Sequence, residues 1–270
     1  MADPKVLVER DGGVAVVTFD DPARLNAMTE AMGQALAARM AELAREDAIR
    51  AVVLTGAGRA FSAGGDLEMI ERMAREGRAA PGGPARAGHR DFMRRFYELY
   101  LSVRSLPQPT VAALNGPAIG AGCCVALACD LRVAARDAKL GLNFTRLGIH
   151  PGMAATWTLP RLVGPARAAE LLFTGRLLDG AEAERIGLVE RAVASERVLP
   201  EARALAAAMA AAAPRAVRGA KRALARSATA TLEEQLDFEA AEQALCYETR
   251  DLEEGLAAAR ERREPRFRGE

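Results

Sequence analysis

The stretch Thr110-Val-Ala-Ala-Leu-Asn-Gly-Pro-Ala-Ile-Gly-Ala-Gly-Cys-Cys-Val-Ala-Leu-Ala-Cys-Asp130 decides how the chain is read. Val111 to Leu114 is a short apolar run closed by Asn115-Gly116-Pro117, which predicts a buried strand and then a turn. A helix is expected to begin near Gly120, because small residues crowd the turn and Cys123 to Ala128 is apolar on every side. The first backbone N–H groups of a helix have no partner inside it. Gly120, Ala121 and Gly122 leave those groups uncovered, and donors at the positive end of a helix dipole suit an oxygen that carries or develops negative charge. Read alone, the same residues equally describe a glycine-rich turn used only for close packing.

A second stretch of this kind lies upstream. Ala51 to Thr55 is a β-rich run, and it feeds the loop Gly56-Ala-Gly-Arg-Ala-Phe-Ser-Ala-Gly-Gly-Asp-Leu67. Glycine there reaches unusual dihedrals and lets a ligand approach the backbone. No Gly-Lys-Ser/Thr follows, and the spacing does not fit a dinucleotide fingerprint. If the two strands run parallel as neighbours, the amides near Gly65 and Ala121 come to one sheet edge, where open α/β folds bind ligands. Two N–H groups on one oxygen form an oxyanion hole, with each donor contributing about 3–4 kcal/mol of transition-state stabilisation.

Around these two loops the sequence predicts an α/β chain. Val6–Val8 and Val14–Phe19 flank Asp11-Gly12-Gly13 as a hairpin. Thr29 is placed to cap a helix whose face is Met32, Leu36, Met40 and Leu43. Residues 75–90 show no period and are expected to form a lid or surface excursion. Phe92, Phe96, Leu99, Tyr100 and Val103 predict a helix leading into the organising strand, and Leu131–Ala135 a further strand. Residues 141–155 are expected as loop and turn, Pro165–Phe173 and Ala181–Ile186 as helices. After Pro200 the chain is mostly Ala, Leu, Glu and Arg, which predicts helices without strands.

Composition narrows the class. With 270 residues, half of them hydrophobic, the chain is long enough for a large core. A formal net charge of +1 argues against a nucleic-acid partner. The C-terminal Arg260, Arg262, Arg263, Arg266 and Arg268 are interleaved with glutamates, as on a solvated tail. Cys123, Cys124, Cys129 and Cys246 have neither disulfide-framework nor zinc spacing and read as reduced thiols. No apolar signal segment and no run of membrane-crossing length is present, so a cytoplasmic protein without membrane association is expected.

The ordered set of motifs resembles the crotonase family, also called enoyl-CoA hydratase/isomerase. It comprises Arg24-Leu-Asn-Ala-Met28, Ala60-Phe-Ser-Ala-Gly-Gly-Asp-Leu67, Asn115-Gly-Pro-Ala-Ile-Gly-Ala-Gly-Cys123 and Cys129-Asp-Leu-Arg132. Pro151-Gly152, Leu171-Leu-Phe-Thr-Gly175, Glu254-Gly255 and Arg263-Glu-Pro265 follow in the same order. The resemblance implies a spiral of ββα units over residues 1–200 that binds acyl-CoA. It also implies a helical region at 201–270 that builds a homotrimer or a dimer of trimers. The ligand implied is an acyl-CoA thioester, so that coenzyme A belongs to the substrate and no separate cofactor or metal is expected. Carried over by position, the N–H groups of Gly65 and Ala121 hold the thioester oxygen. Ala121 stands where relatives usually have glycine, and a backbone donor survives that change at helical φ. Arg24, Leu25, Ala27, Ala63, Asp66 and Leu67 would lie along the pantetheine and adenine. Arg59 and Lys221 would be partners for the phosphates or, alternatively, solvated surface charges.

The chemistry departs from the family. Hydratases of this type hold one water between two glutamates, which supply its base and acid. The corresponding positions here are Cys124 and Phe144, and neither side chain does that work: phenylalanine has no proton to trade, and a thiol near pKa ~8.5 is mostly neutral. Cys124 reads as a buried inert thiol and His150 as a hydrogen-bonding residue in a loop. Asp66 reads as the cap of the helix that it opens with Glu68. Arg146 and Trp157 are candidates for closing the pocket, and Gly152 occupies the position of a dehalogenase-like aspartate. Enoyl-CoA hydration or double-bond isomerisation is the family's default reaction. Another enolate reaction, of decarboxylase or thioesterase type, and a silent acyl-CoA binder are the alternatives.

Overall fold

The N-terminal hairpin forms as expected in a computed structural model that describes residues 5–270. Strands β1 (Lys5–Asp11) and β2 (Val14–Asp20) pair antiparallel across Gly12-Gly13, with Val8 opposite Val17. Thr29 accepts a hydrogen bond from the Met32 N–H and caps α1 (Glu30–Leu43), whose Met32, Leu36, Met40 and Leu43 are buried. Strand β3 (Ala51–Gly56) then joins β2 in parallel, Val17 against Leu54, and all six of its residues are buried. A strand with both faces covered reads as a continuous apolar run, as Ala51–Leu54 does.

Residues 75–90 are mostly helical, which corrects the expectation of an irregular lid. Helix α2 (Leu67–Ala79) continues through Arg75–Arg78, and α3 (Pro84–Leu101) starts with Pro84 in its first turn after Gly83. Alanine and arginine are strong helix formers, and proline is favoured at that first position. No period could be read because most of the stretch is exposed and buries no face.

The organising strand is β4 (Thr110–Leu114), parallel to β3. A two-residue β5 (Ala118–Ile119) and helix α4 (Ala121–Ala128) follow it, and every residue of that helix is buried. Strand β6 (Leu131–Ala135) extends the sheet, and β7 (Leu140–Gly141) pairs with β5 in a small second sheet. Then come α5 (Ala155–Val163), α6 (Pro165–Thr174), α7 (Gly180–Arg185) and the edge strand β8 (Arg191–Val193). The main sheet is ordered β1-β2-β3-β4-β6-β8, parallel from β2 onward.

The final four helices are α8 (Val198–Ala210), α9 (Pro214–Ser227), α10 (Leu232–Tyr247) and α11 (Arg250–Glu261). Val198, Ala202 and Ala206 of α8 are fully buried in the core. Helix α10, by contrast, buries no residue, and Leu232, Leu236, Leu245 and Tyr247 are exposed along it. Among the described residues no helix is long and apolar enough to cross a membrane.

Candidate active site

Asn26 builds the first loop. It is fully buried at positive φ, and its side-chain amide donates to the carbonyls of Ala57, Ala60 and Phe61 at 3.0, 2.9 and 3.3 Å. Ser62 adds a second clamp: its hydroxyl donates to the Asn26 carbonyl at 2.7 Å and accepts from the Gly64 N–H at 3.1 Å. The Ala63 N–H donates to the Leu25 carbonyl at 2.8 Å, and Met28 pairs with Gly65 in a parallel bridge. A buried, fully bonded polar network of this kind fixes one loop conformation.

The same loop is tied to the start of α4. Ser62 bridges Ala118, the Ser62 N–H donates to Pro117 at 3.1 Å, and the Ile119 N–H donates to Ser62 at 3.0 Å. Gly64, at φ +97°, lies so close that a methyl group there would stand 2.6 Å from the Ile119 carbonyl oxygen and 3.6 Å from the Ala121 nitrogen. Only glycine satisfies both the dihedral and the approach. Neither the Gly65 N–H nor the Ala121 N–H has an acceptor among the described residues.

Both residues line one cavity of about 770 Å³. Of the residues expected at the site, Arg24, Ala27, Ala63, Gly65, Asp66, Leu67, Ala121 and Phe144 line it. Leu25, Arg59 and Cys124 do not. Leu25 contributes a carbonyl to the loop, Arg59 is exposed on the surface, and Cys124 is buried behind the wall with Sγ 3.6 Å from the Gly152 carbonyl oxygen. A larger open depression of about 970 Å³ lies beside Gly12, Asp47, Arg203 and Arg268, and neither loop amide belongs to it.

The remaining side chains fall into place around this cavity. Asp66 accepts from the Met69 N–H at 2.8 Å as the cap of α2, and Arg24 approaches it at 3.5 Å. Lys221 donates to Asp130 and to the Gln108 carbonyl, both at 2.8 Å, so its charge is already satisfied. His150 lines the cavity with Nδ1 2.8 Å from the Pro151 carbonyl oxygen; a carbonyl only accepts, so Nδ1 carries the proton. Arg146 donates to the Thr174 carbonyl, and Trp157 is packed under Arg161 and Arg104, so neither closes the pocket. Burial pushes the Cys124 thiol well above its ordinary value and that of Cys123 up to about 12. Tyr97 of α3 also lines the cavity, and the sequence reading passed over it. Its signal was its place beside Met93, Phe96 and Tyr100 on the buried side of that helix.

The sequence profile of the enoyl-CoA hydratase/isomerase family matches residues 9–270. The 1,2-epoxyphenylacetyl-CoA isomerase of Escherichia coli K12 is 35% identical, the match covering 98% of each chain. The crotonyl-CoA hydratase of Syntrophomonas wolfei is 32% identical over 99% of each. The crystal structure of an enoyl-CoA hydratase from Bacillus anthracis superposes with a TM-score of 0.88 at 34% identity, covering 98% of this chain and all of that one. A profile spanning nearly the whole chain, and relatives matched end to end on one fold, place this protein in the enoyl-CoA hydratase/isomerase family.

Proposed function

We propose that the protein acts on an acyl-CoA thioester whose carbonyl oxygen is received by the N–H groups of Gly65 and Ala121. The observation that carries this reading is the pair of unpartnered amides, set side by side by the Ser62–Ala118 bridge at the wall of one largely apolar cavity. Two such donors stabilise an enolate or a tetrahedral adduct more than the neutral carbonyl, because charge develops on the oxygen they hold. The coenzyme arm is proposed to run over Arg24, Leu25, Ala27, Ala63, Asp66 and Leu67, with the exposed Arg59 as a cation for its phosphates. Lys221 is spoken for by Asp130.

Hydration and double-bond isomerisation are the reactions that the family membership brings forward, the former the kind that one relative's name records. Cys124 and Phe144 weigh against hydration through a carboxylate pair: one is a neutral buried thiol and the other an aromatic ring in the wall. The same two residues favour, as a second reading, a paralogue that binds acyl-CoA without turning it over. We further propose that the helical region 201–270 builds a trimer or dimer of trimers, the bare leucines of α10 meeting another copy. The discriminating experiment follows 2-enoyl-CoA and 3-enoyl-CoA substrates by mass spectrometry and titrates acyl-CoA binding by calorimetry. Isomerised, hydrated or hydrolysed product above background is expected. Acyl-CoA binding at micromolar levels with no product overturns the enzyme in favour of the binder, and no binding overturns both.

A further inference from the structure

The open depression beside Gly12 and Arg203 lies at the other edge of the sheet from the loop amides. Its wall takes in Gly13, Val14 at the start of β2, and Arg50 just before β3. The Gly56–Leu67 loop leaves β3 at its opposite end, so the length of that strand, about 20 Å, separates the two places. No residue lines both this depression and the cavity of Gly65 and Ala121. Asp47 and Arg268 join the depression to a smaller hollow of about 350 Å³ at the start of α9.

Arginine dominates the joined hollows. Arg50, Arg203, Arg215, Arg218, Arg222 and Arg268 line them against two carboxylates, Asp11 and Asp47, a surplus of four positive charges on a chain whose formal net charge is +1. Some of that charge is answered: Arg203 pairs with Glu9 and Asp11, Arg218 with Asp47, and Arg222 with Glu242. Arg50, Arg215 and Arg268 have no ion-pair partner among the described residues, and Arg50 donates to the Phe267 carbonyl at 2.8 Å. The backbone of Arg268 is held from behind. Asp251, 5% exposed at the start of α11, accepts from the Arg268 N–H at 2.7 Å and from the Gly269 N–H at 2.9 Å. A methyl group on Gly269 would stand 3.4 Å from the Pro214 ring, which sets the chain's end against the first turn of α9, where Arg215 lies. A buried carboxylate thus fixes one unpaired arginine close to another.

We propose that Arg215 and Arg268, with Arg50 and Arg218 beside them, bind the phosphate group of a small phosphorylated molecule, at a site separate from the cavity of Gly65 and Ala121. Like charges gathered without a counter-ion repel, and the guanidinium fork fits phosphate oxygens two at a time. A phosphate ester carries nearly two negative charges and three acceptor oxygens, so one such group answers two unpaired arginines where a carboxylate answers one. Ala204, Ala207 and Ala210 of α8 line the larger hollow, and their short side chains leave space for the rest of the molecule.

The test is calorimetric titration of the full chain with inorganic phosphate and with pyrophosphate, the ionic strength held constant with potassium chloride. Saturable binding of one anion per chain is expected. Arg215→Ala combined with Arg268→Ala should weaken it about tenfold or more, the usual worth of a hydrogen bond to a charged group. Arg94→Ala, on α3, removes a positive charge elsewhere and should leave the affinity unchanged. No binding of either anion by the wild type overturns the proposal, as does a loss in Arg94→Ala as large as in the folded double variant. Coenzyme A and 3′-dephospho-coenzyme A separate the sources of phosphate. If the double variant loses affinity for coenzyme A and not for the dephospho form, the coenzyme's own phosphate occupies these arginines and the separate site is overturned; unchanged affinity for both upholds it. The acyl-CoA reading stands or falls independently, on its own titration.

Discussion

Ala121 is the residue at which the proposed chemistry is most exposed to test. It is the first residue of α4, the position where proline fits a helix best, and its N–H is free. Ala121→Pro removes one donor with little change of shape. Turnover of whichever acyl-CoA is accepted should fall about 10²- to 10³-fold with KM nearly unchanged, as steady-state kinetics will read. An equal loss in binding and turnover would remove Ala121 from the oxyanion role. Cys124 and Phe144 carry the complementary prediction: hydration of enoyl-CoA by the wild type should be near background. A folded Cys124→Glu/Phe144→Glu double variant should gain about 10²-fold, the usual contribution of positioned acid–base groups. The thiols give a third. Cys123 and Cys129 are pushed up to about 12 and Cys124 well above its ordinary value, in each case mainly by burial. Iodoacetamide at pH 8 should therefore label only Cys246 in the folded protein, as peptide mapping will show. The folded state keeps protons that the unfolded chain releases above pH 9. Stability is therefore full below that pH and falls as pH rises between 9 and 12, by about 1.4 kcal/mol per pH unit for each thiol.

At the scale of elements, α10 sets the clearest expectation. A sixteen-residue helix that buries nothing, and shows Leu232, Leu236, Leu245 and Tyr247 to solvent, gains little from its own chain beyond local terms. Most helical stability in proteins comes from packing an apolar face. Its local terms are good: Thr231 and Glu234 form a reciprocal capping box. A second copy is proposed as the cover. Leu236→Glu combined with Leu245→Glu should shift the protein to monomer in sedimentation velocity, with the sheet intact by circular dichroism. A monomeric wild type would refute the cover. The loops set the opposite case. The Gly56–Leu67 loop has little regular structure, yet Asn26 and Ser62 bind it to two other segments, which gives it the rigidity a donor pair needs.

Across the whole molecule, the far edge of the sheet depends on one charge. Arg132 on β6 is 2% exposed, donates to the carbonyls of Leu188 and Cys129 at 2.9 Å each, and pairs with Glu190 just before β8. Breaking a buried pair from one side strands the other charge, and Glu190 is itself a third exposed. Glu190→Ala should cost about 2 kcal/mol, less than a fully buried pair would. Urea unfolding will measure it, and a loss below half that amount would show that Arg132 rests on its carbonyl partners alone.

Much of this architecture was legible from residue order. The hairpin at Gly12-Gly13, the α1 stripe and the continuous apolar runs of β3 and β4 are local patterns with one physical solution each. The helices through residues 75–90 were not legible, because an exposed helix carries no apolar period. Nor was β8, three residues at a sheet edge, nor α5, which contains Pro160 and follows Ala154 at positive φ.

The sequence by itself determined strands β1 to β4 and β6 and the two glycine-bearing turns, since each is a property of residues close together in the chain. Only the tertiary structure decided that Gly65 and Ala121 share one cavity, that Lys221 is taken by Asp130, and that Arg215 and Arg268 line one hollow. Those facts depend on the Ser62–Ala118 bridge and on how the chain's end folds back onto Asp251. Such contacts join segments far apart in the chain, and no period or spacing encodes which of them will meet.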